Sequence, residues 1–118
     1  MCLLVHEYPI TVKIIQMAEE AAIEQQATKV KKIHLMVGDY CGYVGSSINL
    51  YFPIIAENTM CSEAELVIER IKPKLRCESC ERLFERQAFS FVCPFCQGEG
   101  TPTDIGKEFY IMSIEVEQ

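Results

Sequence analysis

No apolar run in these 118 residues reaches the roughly 20 residues of a membrane-spanning helix. Met1-Cys2-Leu3-Leu4-Val5 is too short and too uncharged to read as a secretory leader. The chain also lacks a glycine-rich phosphate loop, a Ser-His-acid set, internal repeats and low-complexity stretches, which argues against the commonest nucleotide-dependent and hydrolytic classes. Positive charge is scarce. Eleven Lys and Arg against 17 Asp and Glu leave a net charge of -6, which disfavours nucleic acid, because affinity for phosphate backbones comes mainly from clustered cations. The one basic cluster, Lys29, Lys31 and Lys32, reads as a solvated strand entrance. What these absences leave is a globular domain, with room for a small insert, expected in the reducing cytoplasm where its 7 cysteines stay free thiols.

Four of those cysteines carry the strongest local signal. Cys77-Glu-Ser-Cys80 and Cys93-Pro-Phe-Cys96 are two Cys-x-x-Cys pairs separated by twelve residues. A tetrahedral Zn²⁺ takes four thiolates at roughly 2.3 Å, and each short turn supplies two of them, so the pairs read as one zinc site. Two redox dithiols or two disulfides are the competing reading, weakened by the absence of a thioredoxin-like βαβ pattern. Four cysteines would fill every position, which makes the site structural, not catalytic; iron in the same knuckles is a minor variant.

Periodicity supplies the frame. Ile10, Ile14, Met17, Ala18, Ala21 and Ala22 recur at helical spacing over residues 9–26, with Pro9 in the first turn and nothing in residues 1–7 that promises packing. Ile33, Leu35 and Val37 alternate in a strand over 32–37, which puts His34 on its solvent side. A second helix capped by Ser46 or Ser47 should run to about residue 58, with Ile48, Phe52 and Ile55 inward and a kink or a short turn at Pro53. Strands follow at 65–72 and 108–116, the latter with Tyr110, Met112, Ile114 and Val116 on one face and Phe109, Ile111 and Ser113 on the other. Between them, Leu83-Phe84 and residues 89–92 are strand-like pieces and residues 97–102 are turn-rich. A ribbon of about thirty residues cannot bury the last strand, so that strand should return to the earlier ones and leave residues 73–103 as an insert. Cys41 and Cys61 read as core or loop thiols, and Asp39 as a turn former.

An ordered set of strings then resembles a known family. Val-His-Glu-Tyr-Pro-Ile-Thr at 5–11, Gly38-Asp39 followed by Gly42, the two cysteine pairs, and Ser113-Ile114-Glu115-Val116 together resemble the HypA/HybF hydrogenase maturation factors. That resemblance implies an α+β fold: a small antiparallel sheet with two helices forming a nickel-binding domain (1–72 plus 104–118) and an inserted zinc-ribbon domain (73–103). It implies a metallochaperone, not an enzyme, with structural Zn²⁺ at Cys77, Cys80, Cys93 and Cys96 and Ni²⁺ as cargo. The implied partners are a hydrogenase maturation GTPase, the hydrogenase large subunit precursor and in some members urease maturation proteins; nucleic acid and membrane are not among them. The chain would be a monomer or a homodimer.

In the family, nickel is held by a His directly after the initiator Met, by the free amine and by nearby backbone nitrogens. Amine, amide nitrogen and imidazole close fused chelate rings, a planar nitrogen set suited to Ni²⁺. The matching residue is His6, with Glu7 as a further ligand or an orienting group. Four residues precede the family's start in this sequence. The expectation is that Val5 is the native initiator, read as Met from a GTG codon, and supplies the amine, with Cys2 a substitute thiolate in the longer form. The alternative reading is a zinc-ribbon protein-interaction or regulatory module without cargo metal.

Overall fold

The computed structural model describes residues 3–87 and 90–118, with residues 3–6 followed by backbone alone. Its elements in order are α1 (Leu3–Glu24), β1 (Lys29–Gly38), α2 (Gly45–Ala56), β2 (Glu65–Ile71), β3 (Leu75–Cys77), β4 (Leu83–Phe84), β5 (Gly100–Pro102) and β6 (Phe109–Glu117).

Helix α1 begins ahead of Pro9 instead of at it. What organises this end is a buried stripe that extends back to Glu7: Glu7, Thr11, Ile14, Ile15, Ala18 and Ala22 are all buried. The expectation that residues 1–7 do not pack fails at Glu7, which is only 2% exposed. The stripe also runs slightly rotated from the expected one, so Met17 is 46% exposed and Ile15 lies inside. At the other end Gln26 takes a left-handed φ of 57°, and Ala27 N–H reaches back to the Ala22 carbonyl at 2.9 Å. This closing turn satisfies carbonyls that the helix end would leave orphaned.

Strand β1 is central in a sheet of order β2-β1-β6. Its pairing with β6 is antiparallel and that with β2 is parallel, so the sheet is mixed, not antiparallel throughout. The reason is the connection: α2 carries the chain back across the sheet, and such a crossover delivers the next strand in the same direction. Ile33, Leu35 and Val37 face the helices as their alternation requires, and Ile48, Phe52 and Ala56 of α2 close over them. Pro53 sits inside α2, yet the helix runs through it. Asn49 and Pro53 are both exposed, so the carbonyl that loses its donor at Pro53 turns to water. The cluster Lys29, Lys31 and Lys32 is not merely solvated; it pairs with Glu63, Glu117 and Glu115 at 3.2, 3.5 and 3.7 Å.

Strand β6 departs from simple alternation. Phe109, Ile111, Ile114 and Val116 all pack on the core, whereas Tyr110 and Met112 are exposed. The register explains it. Leu35 pairs with Ile111 but His34 with Ser113, so Met112 is an extra residue in a β-bulge, and the inward parity switches there.

Gly38 closes β1 where the chain returns to β6. A Cβ there would lie 2.2 Å from the Gly106 carbonyl oxygen, the acceptor for Tyr40 N–H at 2.7 Å. Gly38→Ala is therefore expected to cost about 2–3 kcal/mol by overpacking, read as a lowered urea midpoint.

The second sheet, order β4-β3-β5, is antiparallel and small. Strand β5 occupies residues expected to be only turn, and of the piece expected at 89–92 Val92 makes an isolated bridge to Glu99. Residue 89 lies outside the described residues. Leu75, Cys77, Phe84 and Cys93 are its buried residues, with Cys80 packed against them.

Candidate metal centre

Each cysteine pair closes the same turn. Glu81 N–H donates to the Cys77 carbonyl at 3.0 Å, and Gln97 N–H to the Cys93 carbonyl at 2.9 Å. Glu81 and Gln97 both hold left-handed φ values, 65° and 66°. Cys93 N–H to Gly98 O at 2.8 Å closes the second turn on itself, and Glu78 N–H to Glu99 O at 2.9 Å ties the first turn to the segment that follows the second.

The result is convergence of Cys77, Cys80, Cys93 and Cys96, whose sulfurs all lie within 4.8 Å of one another. Two of these approaches run between the turns, Cys77 Sγ to Cys96 Sγ at 3.3 Å and Cys80 Sγ to Cys93 Sγ at 3.7 Å. Tetrahedral zinc with bonds near 2.3 Å places its sulfurs about 3.8 Å apart, so the donor set fits that ion closely. All of these thiols are free, as are Cys41 and Cys61. Ser79 and Cys80 N–H point at Cys77 Sγ, and Phe95 N–H at Cys93 Sγ, each at 3.4 Å. Gly98 is held close here: a Cβ on it would stand 3.0 Å from Cys77 Sγ and 2.8 Å from Ser79 Oγ.

These amides favour thiolate. The Cys80 N–H, foremost among several donors, brings the Cys77 thiol down to about 6. Burial opposes ionisation at Cys93, but the amides of Cys96 and Phe95 outweigh it and the thiol is lowered. Cys96 goes the other way: the Gly98 amide lowers it, while the sulfur of Cys77, burial and the remaining two sulfurs together carry it up to about 11. Four negative sulfurs do not coexist at this spacing without a cation, and a bound dication displaces the last proton.

At the N-terminal end, Glu7 lies on the buried face of α1. Its Oε2 accepts the Val44 N–H at 2.9 Å, so a carboxylate from α1 supports the start of α2. Val44 is the N-cap residue, and no side chain of its own segment caps that helix. The expected Ser46 or Ser47 cap is thus replaced by a negative group at the positive end of the helix. Glu7 Oε1 is buried and has no hydrogen-bond partner among the described residues. The helical backbone includes Val5 and His6; their side chains, and Cys2 as a whole, lie outside the described residues. Nothing in the local sequence announces the contact between Glu7 and Val44, because it joins positions 37 apart.

Asp39 does more than turn the chain. Its carboxylate takes both Nε and Nη2 of Arg70, at 2.6 and 2.9 Å, and the Arg70 hydrogen bond holds it below the usual carboxylate range. His34 Nε2 lies 3.0 Å from Glu69 Oε1 on the sheet face away from the helices. Cys61 is fully buried, and burial foremost, with the charge of Glu19, pushes its thiol up to about 11. Iodoacetamide at neutral pH is accordingly expected to leave Cys61 unmodified in the folded protein and to label it on unfolding, as peptide mass mapping would show.

Comparison with known proteins adds three findings. A family model described as hydrogenase/urease nickel incorporation, metallochaperone, matches residues 5–116. The chain is 41% identical over 113 residues to a hydrogenase maturation factor HypA of Caldanaerobacter subterraneus, covering 95% of this chain and 99% of that one. It is 37% identical to one of Dehalococcoides mccartyi, covering 95% and 94%. Among solved structures it resembles a HypA solution structure with a TM-score of 0.67 at 28% identity, covering 95% of this chain and 96% of that one. It also resembles the Ni metallochaperone HypA from Helicobacter pylori, with a TM-score of 0.63 at 27% identity over 94% and 97% of the two chains.

Proposed function

The chain belongs to the HypA family of hydrogenase/urease nickel-incorporation metallochaperones, and from that membership we propose that it carries Ni²⁺ to the large subunit precursor of a nickel-iron hydrogenase. A maturation GTPase is its working partner in this reading, and urease maturation proteins are a second destination. It is a carrier and not an enzyme, working in the cytoplasm.

The cargo site is the N-terminal end, with His6 as the imidazole donor. The observation that supports this placement is Glu7: a carboxylate next to His6 in sequence, tied down through one oxygen and left with a buried one that has no partner among the described residues. A buried acceptor of this kind is costly unless a cation or donor completes it. The amine completes the chelate only if the chain opens at position 5. In the 118-residue form His6 falls within the first turns of α1, whose backbone geometry does not close fused chelate rings. We therefore place the native start at Val5, read as Met, which is also where the family match begins.

The four-cysteine cluster holds zinc in this reading and organises residues 73–103 as a separate ribbon domain. Zinc, when bound, supplies folding energy there, since no coordination position is left open for chemistry. Cys77, Cys80, Cys93 and Cys96 hold the ion, and the amides of Ser79, Cys80 and Phe95 stabilise the thiolates. The test is maturation of hydrogenase in cells lacking their own copy of the gene. The native chain is expected to restore activity and the His6→Ala chain to fail with its zinc content intact. Restoration by His6→Ala would reduce the protein to a zinc-ribbon adaptor.

A further inference from the structure

In a chain with 17 acids and 11 bases, most cations on a folded surface should find a carboxylate. Around the β2-β1-β6 sheet they do: Lys29, Lys31, Lys32 and Arg70 are all paired. At the junction between that sheet and the cysteine ribbon the pattern breaks. Lys72, Lys74 and Arg86 make no ion pair among the described residues; neither do Lys13, Arg76 and Arg82, but only Lys72, Lys74 and Arg86 gather along one continuous depression. Its inner part is a cavity of about 200 Å³ floored by Tyr40, Leu75 and Phe91 and rimmed by Lys74, Arg86 and Lys107, the last of which is paired with Asp104 at 3.4 Å. Among the described residues, no acid lines that inner part. Its outer part is a groove of about 470 Å³ that adds Lys72 and Arg70. The acids there are Asp39, already paired with Arg70, and Glu85.

The floor is apolar and open. Phe91 is 46% exposed although the Arg86 guanidinium lies over its ring at 4.4 Å from the centroid. Stacking of this kind holds the guanidinium in place while its N–H groups stay free to meet an anion. Unpaired cations set around an apolar floor match a ligand that alternates carboxylates with apolar side chains.

We infer that the cleft between the sheet and the ribbon docks an acidic peptide segment of a partner protein. Carboxylates of the segment meet Lys72, Lys74 and Arg86, and an apolar side chain between them enters the cavity against Tyr40, Leu75 and Phe91. A polynucleotide does not suit the place, because the rest of this acidic chain repels an extended polyphosphate. An isolated acidic segment instead gains attraction at one spot only. The docking is independent of the N-terminal cargo site and would persist in a chain lacking His6.

The test uses the zinc-loaded full chain and a fluorescein-labelled peptide alternating Glu with Leu, followed by anisotropy at low ionic strength. The same peptide with Gln for Glu is the control. The Glu peptide is expected to bind at least about tenfold more tightly than its Gln counterpart and to weaken as salt rises. Lys74→Glu and Arg86→Glu should each weaken it by about fivefold or more, while Lys13→Glu, the same change in net charge on α1, leaves it unaltered. Zinc content and thermal melting of each variant establish that the fold is retained. The inference is overturned if Lys13→Glu weakens binding as much as Lys74→Glu, or if the Gln peptide binds equally well. It is likewise overturned if GTP or inorganic phosphate displaces the peptide at comparable concentration, which would make the cleft a phosphate site.

Discussion

Stripping zinc with a chelator, or replacing Cys77 with serine, is expected to unfold the ribbon while the β2-β1-β6 sheet and both helices remain folded. Among the described residues the ribbon's buried apolar side chains are those of Leu75, Cys77, Phe84 and Cys93, and two of those four are themselves cysteines of the cluster. So few apolar side chains cannot offset the conformational entropy of some thirty ordered residues, at roughly 1–2 kcal/mol for each backbone. A structural zinc contributes about 10–16 kcal/mol to the folding of a site like this, which makes metal binding and local folding one event. The larger sheet keeps its own core, in which Ile33, Leu35, Ile48 and Ala22 are almost wholly inaccessible. Amide exchange would resolve the two regions. Amides of β3, β4 and β5 should lose protection on chelation and those of β1 should keep it. Protection retained in β3 without metal would mean that the ribbon folds on its own packing.

At the other end, the largest expected effect is on nickel. His6→Ala should abolish binding at the N-terminal site and leave zinc bound, because the two donor sets share no residue. Glu7 should behave in two ways that its variants separate. Glu7→Gln keeps an acceptor for the Val44 N–H and should preserve the fold while lowering nickel affinity about 10- to 100-fold, as removal of a charged supporting group does. Glu7→Ala removes that acceptor as well, and should cost a further ~1–2 kcal/mol of stability through the uncapped start of α2. A chain that opens with Met at position 5 should bind Ni²⁺ more tightly than the 118-residue form. Calorimetry on these five proteins decides these points: equal affinities for the two start sites would remove the amine from the site, and an unchanged affinity in Glu7→Gln would leave Glu7 a cap and nothing more.

Much of the architecture is legible in sequence for a plain reason: short-range periodicity records which face is buried. Ile33, Leu35 and Val37 announce β1, and Ile48 and Phe52 announce the inward face of α2. The paired Cys-x-x-Cys turns announce convergence, because each turn's geometry is local and only their meeting is not. Where the reading fails, the cause is distant. The α1 boundary lies ahead of Pro9 because Glu7 packs inward and holds the Val44 amide, a partner 37 residues away. Strand β6 changes inward parity because a bulge against His34 and Leu35 absorbs Met112.

By itself, then, the sequence determined the α+β class, the order of the two helices and the three long strands, and the four-thiolate cluster, all of which rest on residue types at short and regular spacing. Only the tertiary structure decided that β2 runs parallel to β1, that Glu7 is a buried helix cap whose second oxygen has no partner among the described residues, and that Lys72, Lys74 and Arg86, unpaired among those residues, gather along one depression. Each of these depends on contacts between segments far apart in the chain, and spacing along a sequence carries no record of them.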